Sequence, residues 1–253
     1  MTGLRKTLAL SVTAGLIGGA VASAALLLGP VGSRAVDRAA ASYIDNHIDT
    51  IEAALQEAAE QRQLAAATTR IAKERMDAVY SAPGASHIDP TRHGMKLVFF
   101  SDFNCPYCKA TEPMIERLMQ DRPDLDVMIR ELPIVHADIS PAVSRIALAL
   151  ARQDKYGAFF IKAGQYKRLI DETGAMLIAK DTGANMDRLA LDLADKTIQS
   201  AVDANIAIRE PLGITGTPTF ALGDKLYQGL LSYKTMSKLL DEAQKTQTAQ
   251  KTS

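Results

Sequence analysis

One stretch of the chain decides its fold: Phe99-Phe100-Ser101-Asp102-Phe103-Asn104-Cys105-Pro106-Tyr107-Cys108-Lys109. It contains both cysteines of the protein, and two residues separate them. The apolar run that leads into it, from Leu97 to Phe100, indicates a buried strand. Beyond the cysteines, apolar residues recur at helical spacing as far as Met119, which indicates an amphipathic helix. The two cysteines are therefore predicted to lie at a strand-to-helix turn.

The position of Cys105 at the start of this helix predicts a reactive thiolate. Pro106 suits the first helical position, because the N–H that proline lacks would have no partner there. Cys105 then occupies the N-cap, where free backbone N–H groups and the positive end of the helix dipole favour an anion. The thiolate is such an anion and is the reactive form of cysteine, so we expect a pKa between about 3.5 and 7.5.

A Cys-x-x-Cys pair can be redox-active, can bind a metal or can form a structural disulfide. The pair alone supplies half of a closed zinc site, and none of the four histidines has a spacing that completes one. A disulfide across so short a loop would stabilise the fold little. We therefore predict a redox-active pair and no metal site. A pair of soft ligands for copper is the alternative from another class of protein.

Three segments carry a resemblance to a known family. Phe-Ser-Asp-Phe-Asn-Cys-Pro-Tyr-Cys-Lys resembles the active-site segment of the DsbA-like disulfide oxidoreductases of the thioredoxin superfamily. Gly-Ile-Thr-Gly-Thr-Pro-Thr-Phe, residues 213–220, resembles the segment in which a cis-proline begins a strand facing that site. Pro113 resembles the proline that kinks the active-site helix. The similarity covers residues 95–243, and with the helical segment before it the chain is most similar to ScsC-like and bacterial outer-membrane-antigen-like members.

The resemblance implies a fold and an activity. The expected fold is α/β: a thioredoxin-like domain with an inserted helical domain, preceded by an N-terminal helical arm and a hydrophobic signal or anchor. The expected protein is an exported thiol–disulfide oxidoreductase with no dissociable cofactor, because the disulfide Cys105–Cys108 is the redox carrier. Cys105 attacks, Cys108 lies deeper and resolves, and Thr217 and Pro218 bind substrate. Expected partners are cysteine-containing exported proteins and a membrane redox partner.

Two features of the sequence bear on the direction of the reaction. The dipeptide Pro106-Tyr107 also occurs in glutaredoxins, whose potentials of about −200 to −230 mV lie between those of thioredoxin and DsbA. Threonine before the cis-proline resembles isomerases and ScsC-like proteins. Both features favour a reductase or isomerase role over a dithiol oxidase of DsbA type.

One position departs from the family pattern. Thioredoxin and DsbA carry a buried acid before the first cysteine, and this chain has Phe99 there. In the family that acid helps to move protons at the second cysteine. We therefore expect solvent, or another group brought in by the fold, to serve Cys108.

The N-terminal residues 1–33 are predicted to be a signal peptide or a membrane anchor. Arg5 and Lys6 precede a charge-free stretch from Thr7 to Ser33. A secretory apolar region usually has about 7–15 residues and a spanning helix needs about 20, so length favours an inner-membrane anchor over residues 7–32. Ala22-Ser23-Ala24 resembles a cleavage site and supports a cleaved signal peptide instead. Both alternatives place the cysteines in the periplasm or on the extracytoplasmic side, where disulfides persist.

Residues 34–82 are predicted to be a helical arm and linker. The segment is rich in alanine, glutamate, glutamine and arginine, and Ile44, Ile48, Ile51 and Leu55 form an apolar stripe. We expect a homo-oligomer through residues 36–80, with packing on the chain's own domain as the alternative.

Residues 83–243 are predicted to form the catalytic domain. Residues 95–101 and 125–132 indicate parallel neighbouring strands, residues 218–229 a hairpin, and residues 232–243 a final helix. The helical insertion spans about 139–210, with helices over residues 142–152, 157–166, 172–182 and 186–210. A polar tail, expected to fray, occupies 244–253. Equal numbers of acidic and basic residues, 29 each, predict no nucleic-acid partner.

Overall fold

A computed structural model describes residues 42, 46–53, 55–60, 62, 64, 68–70, 73–81 and 83–251. The chain divides into two compact units, residues 1–63 and 64–253. The described residues of the first unit are helical. The predicted signal or anchor over residues 7–32 lies outside the described residues. Among the described residues, no helix is both long enough and apolar enough to cross a membrane.

The second unit contains a six-stranded sheet in the order β1-β6-β5-β3-β4-β2. Strands β3 and β4 are parallel, and every other neighbouring pair is antiparallel. The strands are β1 Thr68–Arg70, β2 Ala85–His87, β3 Lys96–Ser101, β4 Asp126–Glu131, β5 Thr219–Leu222 and β6 Lys225–Gln228. The described helices of this unit are α1 Lys73–Tyr80, α2 Pro106–Asp121, α3 Ser140–Ala151, α4 Tyr156–Gln165, α5 Glu172–Asp181, α6 Met186–Ala194, α7 Lys196–Ala207 and α8 Tyr233–Lys251.

Strand β3 is the centre of the sheet and leads directly into the cysteines. Its residues from Leu97 to Phe100 are all 0% exposed. Because side chains alternate across a strand, Leu97 and Phe99 enter the core that contains both cysteines, while Val98 and Phe100 enter the opposite core. The predicted strand and its parallel pairing with β4 through helix α2 are confirmed.

The helical insertion extends from α3 to α7 and contacts the active-site segment through aromatic rings. The ring of Phe103 meets Phe159 edge-on at 5.2 Å between centroids. The prediction of one helix over residues 186–210 is wrong, because the helix is interrupted at Asp195, which lies between α6 and α7. The Asp195 carboxylate accepts a hydrogen bond from Thr197 N at 2.9 Å and so caps α7. Arg152 donates to the same carboxylate at 2.9 Å.

The catalytic unit begins earlier than predicted. It starts at Leu64, not at residue 83, and includes the C-terminal part of the predicted arm. Strand β1 pairs with β6 at the sheet edge, and Met76 and Val79 of α1 enter the core. Strand β1 has three residues, too few to change the helix-like composition of this segment, so the sequence pattern does not predict it.

The C-terminal elements match the prediction except at their end. The hairpin β5–β6 turns at Gly223, whose φ of 62° suits glycine. Ser232 caps α8 by accepting from Thr235 N at 3.1 Å. The helix then continues to Lys251, which corrects the polar tail over 244–253. No glycine or proline lies between Gln244 and Lys251 to stop it.

Candidate active site

Cys105 lies at the N-cap of α2, as predicted. Its backbone is extended, with φ −79° and ψ 118°, and Pro106 opens the helix. Cys105 N donates to Asp102 O at 2.9 Å, and Lys109 N donates to Cys105 O at 3.1 Å. These bonds hold the sulfur at the positive end of the helix.

The two cysteines are buried almost equally but differ in the environment of the sulfur. Cys105 is 2% exposed and Cys108 is 1% exposed, so depth alone does not separate their roles. Hydrogen bonds from the Cys108 thiol, the Thr217 hydroxyl and the backbone N–H groups of Cys108 and Tyr107 lower the pKa of Cys105 to about 6. Burial, the largest cause, raises the pKa of Cys108 far above its ordinary range. Cys105 therefore ionises first, and its pKa lies within the range predicted for the nucleophile.

Thr217 lies against Cys105, although 112 positions separate the two residues, and Pro218 follows it directly. The Thr217–Pro218 peptide bond is cis, as the resemblance implies. The Cys105 thiol donates to Thr217 O at 3.4 Å. Gly229 N donates to Pro218 O at 2.8 Å, which ties this segment to the strand β6. All the predicted site residues thus meet at one place, with Tyr107 59% exposed beside them.

The Thr217 hydroxyl is a buried donor without a fixed acceptor. Its oxygen is buried and has no hydrogen-bond partner of its own among the described residues. The same hydroxyl lowers the pKa of both Cys105 and Cys108, because it can turn toward either sulfur when that sulfur is ionised. It therefore favours the thiolate state of the pair.

Phe99 is a packing residue in this structure. Its ring stacks on Phe220 of β5 at 5.0 Å between centroids. The structure contains two buried carboxyls that sequence reasoning missed, Glu112 and Glu131. The spacing of Glu112, one helical turn after Cys108, was the available signal, since residues at i and i+4 share a helix face.

Glu112 lies on α2 and is 4% exposed. A Cβ atom at Gly164 of α4 would lie 1.3 Å from its Oε2, so only glycine leaves room for the carboxyl. Burial raises the pKa of Glu112 to about 8, against the nearby charge of Lys109, which lowers it. The carboxyl is therefore largely neutral near pH 7.

Glu131 ends β4 and is completely buried. It accepts hydrogen bonds from the Tyr156 hydroxyl and from Ser144 Oγ, the latter at 3.4 Å. Burial, the largest cause, together with the nearby Asp102 carboxylate raises its pKa to about 8, against the hydrogen bond from Tyr156, which lowers it. Asp102 has a structural role: its carboxylate accepts from Asn104 N, Val135 N and Ser140 Oγ at 2.8–2.9 Å.

No group of three or more His, Cys, Asp or Glu side chains within the described part of the chain could hold a metal ion. A thioredoxin-like sheet with a Cys-x-x-Cys pair at a helix N-terminus, beside a cis-proline, defines the class of thiol–disulfide oxidoreductases. The chain belongs to the DSBA-like thioredoxin domain family, which matches residues 96–241.

Solved structures of this class resemble the chain over most of the second unit. A thioredoxin-like oxidoreductase from Silicibacter pomeroyi is 28% identical, with a TM-score of 0.62, covering 67% of this chain and 97% of that one. The catalytic domain of Proteus mirabilis ScsC is 27% identical, with a TM-score of 0.60 and coverage of 67% and 94%. A periplasmic thioredoxin-like protein from Salmonella enterica serovar Typhimurium is 26% identical, with a TM-score of 0.60 and coverage of 69% and 98%.

Curated relatives match over shorter shares of their own length. The thiol:disulfide interchange protein DsbA of Bordetella parapertussis is 29% identical over 51% of this chain and 63% of its own. The Na(+)/H(+) antiporter NhaA 3 of Salinispora tropica is 25% identical over 61% of this chain, which spans 24% of the antiporter. The chain therefore covers about a quarter of that antiporter's length and less than two thirds of that DsbA.

Proposed function

We propose that the protein is an exported oxidoreductase that exchanges disulfides with the cysteines of other exported proteins. The observation that carries the proposal is a pair of unequal thiols beside a cis-proline, with the pKa of Cys105 lowered to about 6 and that of Cys108 raised. One thiol is ready to attack at neutral pH, and the other stays protonated until a mixed disulfide forms.

The exchange balances through a mixed disulfide. The Cys105 thiolate attacks one sulfur of a substrate disulfide, and the other substrate sulfur leaves as a thiolate. The Cys108 thiol then loses its proton and attacks the Cys105 sulfur, which releases the reduced substrate and leaves the Cys105–Cys108 disulfide. Running both steps backwards oxidises a substrate dithiol. The proton passes to solvent, or to Glu112 on the same helix face as Cys108 in the minor fraction of molecules whose Glu112 carboxyl is ionised near pH 7.

The substrate backbone is proposed to lie beside Thr217 and Pro218. The segment before a cis-proline offers backbone groups to an extended chain, as in strand addition. This position places a substrate sulfur near Cys105, whose sulfur is 3.4 Å from Thr217 O.

Within this activity, a reductase or isomerase role is favoured. The Cys105 pKa of about 6 lies nearer the value of about 7 in thioredoxin than that of about 3.5 in DsbA. A dithiol oxidase is the second candidate, because a lowered pKa stabilises the reduced form and makes the disulfide more oxidising.

The proposed location is the periplasm or the extracytoplasmic side of the inner membrane. It rests on the charge-free segment at residues 7–32, as an anchor or a cleaved signal, and on similarity to a protein described as periplasmic. A membrane redox partner would restore the active redox state there. The proposed assembly is a homo-oligomer through residues before Leu64, where Ile48 and Leu55 are 43% and 65% exposed.

Trapping and redox equilibrium test the function. In Cys108→Ser, Cys105 should hold exported proteins as mixed disulfides on non-reducing gels, whereas Cys105→Ser should hold none. Trapping by Cys105→Ser would reverse the roles, and trapping by neither variant would contradict the proposed activity. The equilibrium potential of the pair against glutathione then gives the direction: about −120 mV means an oxidase, and well below about −200 mV a reductase.

A further inference from the structure

A loop of the helical insertion is hydrogen-bonded to Asn104, the residue that precedes Cys105. We call residues 166–170, between α4 and α5, the basic loop. Ile170 N donates to Asn104 Oδ1 at 2.8 Å, and Asn104 Nδ2 donates to Ile170 O at 2.9 Å. Asn104 is 7% exposed, so this pair of bonds is shielded from water.

The same loop is fastened to the residue that follows Cys108. Lys109 Nζ donates to Tyr166 O at 3.0 Å and to Arg168 O at 3.2 Å. Lys109 lies one helical turn after Cys105, to whose carbonyl its backbone N–H is bonded. The active-site segment therefore holds the basic loop from both sides of the cysteine pair, and the loop has a fixed position relative to Cys105.

The basic loop presents two cations and an apolar side chain to solvent. Lys167, Arg168 and Leu169 are exposed, Leu169 to 47%. Arg168 is held in place, since its guanidinium lies 5.7 Å from the centre of the Tyr166 ring and donates to the Tyr166 hydroxyl at 3.3 Å.

No carboxylate of the same segment offsets this charge. From Lys162 to Ile170 the chain has three cations and no acidic residue, although the whole protein has equal numbers of each sign. The next acid, Asp171, caps α5 by accepting from Gly174 N at 2.7 Å. The segment 162–170 is therefore positively charged, and the acids Asp171 and Glu172 follow it directly in the chain.

We propose that the basic loop selects substrates in which acidic and apolar residues flank the reacting cysteine. This inference rests on the proposed exchange of disulfides with polypeptides. An extended substrate advances about 3.3 Å per residue, so positions two to four residues from its cysteine reach the loop. Acidic side chains there would meet Lys167 and Arg168, and an apolar one would meet Leu169 or Tyr107.

The expected size of the preference follows from Coulomb's law. Two unit charges about 10 Å apart in water change a rate or affinity about twofold, so two cations give about fourfold for one acidic residue. Salt screens such pairs over about 8 Å at physiological ionic strength, so the preference should decline as salt is added.

The test uses the full chain, reduced, and two short peptides with an internal disulfide. The peptides differ only in glutamate or glutamine beside one cysteine. We expect the glutamate peptide to be reduced about fourfold faster at low salt and equally fast at high salt. Lys167→Glu with Arg168→Glu should make the glutamate peptide the slower one. Lys167→Glu alone, which keeps the contact between Arg168 and Tyr166, should abolish the preference.

The matched control is Lys180→Glu with Lys196→Glu, which reverses two exposed cations on α5 and α7. These changes should leave the preference intact. Equal rates for both peptides at low salt, or a preference that survives both loop variants, would overturn the inference and leave the proposed function standing. Failure to reduce either peptide would overturn the proposed function itself.

Discussion

At the scale of single residues, the site separates two chemically identical thiols through their surroundings. Both cysteines are buried, yet hydrogen bonds at the start of α2 lower the pKa of Cys105, and burial raises that of Cys108. The order in which the thiols ionise is thus set by the donors and the burial around each sulfur and not by a difference in exposed area. Among the donors to Cys105, the Thr217 hydroxyl has no other hydrogen-bond partner within the residues that the structure describes, so it can be removed without breaking a further bond.

Thr217→Val should raise the pKa of Cys105 by about one pH unit. A hydrogen bond to a charged group contributes about 1.5–3 kcal/mol, and one pKa unit corresponds to about 1.4 kcal/mol. Absorbance of the thiolate against pH measures the change. Thr215→Val removes a hydroxyl from the same segment, one that donates to Gln228 at 2.9 Å, and should leave the pKa unchanged. An unaltered pKa in Thr217→Val would show that the hydroxyl does not stabilise the thiolate.

Glu112→Gln should make the reduced protein less sensitive to alkaline pH. Burial raises the pKa of Glu112 to about 8, so between its unfolded value and pH 8 the folded state holds more protons than the unfolded state. The free energy of unfolding must then fall as pH rises, by about 1.4 kcal/mol per pH unit for one carboxyl. Glutamine does not ionise and removes this loss.

Urea unfolding of the reduced protein between pH 5 and 9 measures the effect. Glu131 keeps its own raised pKa, so the slope against pH should decrease in Glu112→Gln without vanishing. Glu116→Gln, one turn further along the same helix, is the control and should follow the unaltered protein. Parallel curves for all three proteins would exclude a neutral buried Glu112.

At the scale of helices and strands, the sequence predicts the elements that depend on a local residue pattern. The active-site strand, the cap at Cys105 and the hairpin at Gly223 follow from apolar runs and turn residues. The cap at Asp195 gains a second donor from the distant Arg152, and strand β1 forms by pairing with β6, contacts that no local pattern reveals. The burial of Glu131 could not be predicted either, because it depends on α3 and α4, which cover the end of β4.

Arg130 on β4 is a second element-scale feature that no local pattern predicts. It is 2% exposed and donates to Ala78 O and Val79 O at 2.7 Å each, and also to Ser81 O. It donates to Asn205 Oδ1 at 2.7 Å as well. A cation there meets the negative end of α1 and satisfies carbonyls that would otherwise have no partner.

Arg130→Met should lower the free energy of unfolding by at least about 3 kcal/mol, because several buried carbonyls lose their donor. Arg117→Met, which removes an exposed arginine paired with the exposed Asp121, should cost no more than about 1 kcal/mol. Chemical denaturation of both variants gives the comparison. Equal losses would mean that water replaces the Arg130 side chain.

At the scale of the whole molecule, the chain extends well beyond the family domain at residues 96–241. The part between Leu64 and the family domain belongs to the catalytic unit, since β1 joins the sheet and Val79 is 0% exposed. The part before Leu64 carries Ile48 and Leu55, whose exposed apolar side chains suit contact with a second copy. The boundary at Leu64 therefore separates the catalytic unit from the proposed oligomerisation arm, and truncation can test the two independently.

Removing residues 1–63 should leave a folded, redox-active monomer, because the second unit keeps its complete described sheet and core. Removing residues 1–81 should not leave a folded protein, because it deletes β1 and α1 and uncovers Val98 and Phe100, which share a core with Met76 and Val79.

If several active sites surround one space in the oligomer, the monomer that lacks residues 1–63 should lose isomerase activity toward a scrambled substrate. The same monomer should gain dithiol oxidation, because an oxidase of the membrane could then reach its cysteines. Light scattering gives the mass, and refolding of the scrambled substrate gives the activity. A full-length protein that is already monomeric would contradict assembly through the arm, and a folded product of the longer truncation would contradict the boundary at Leu64.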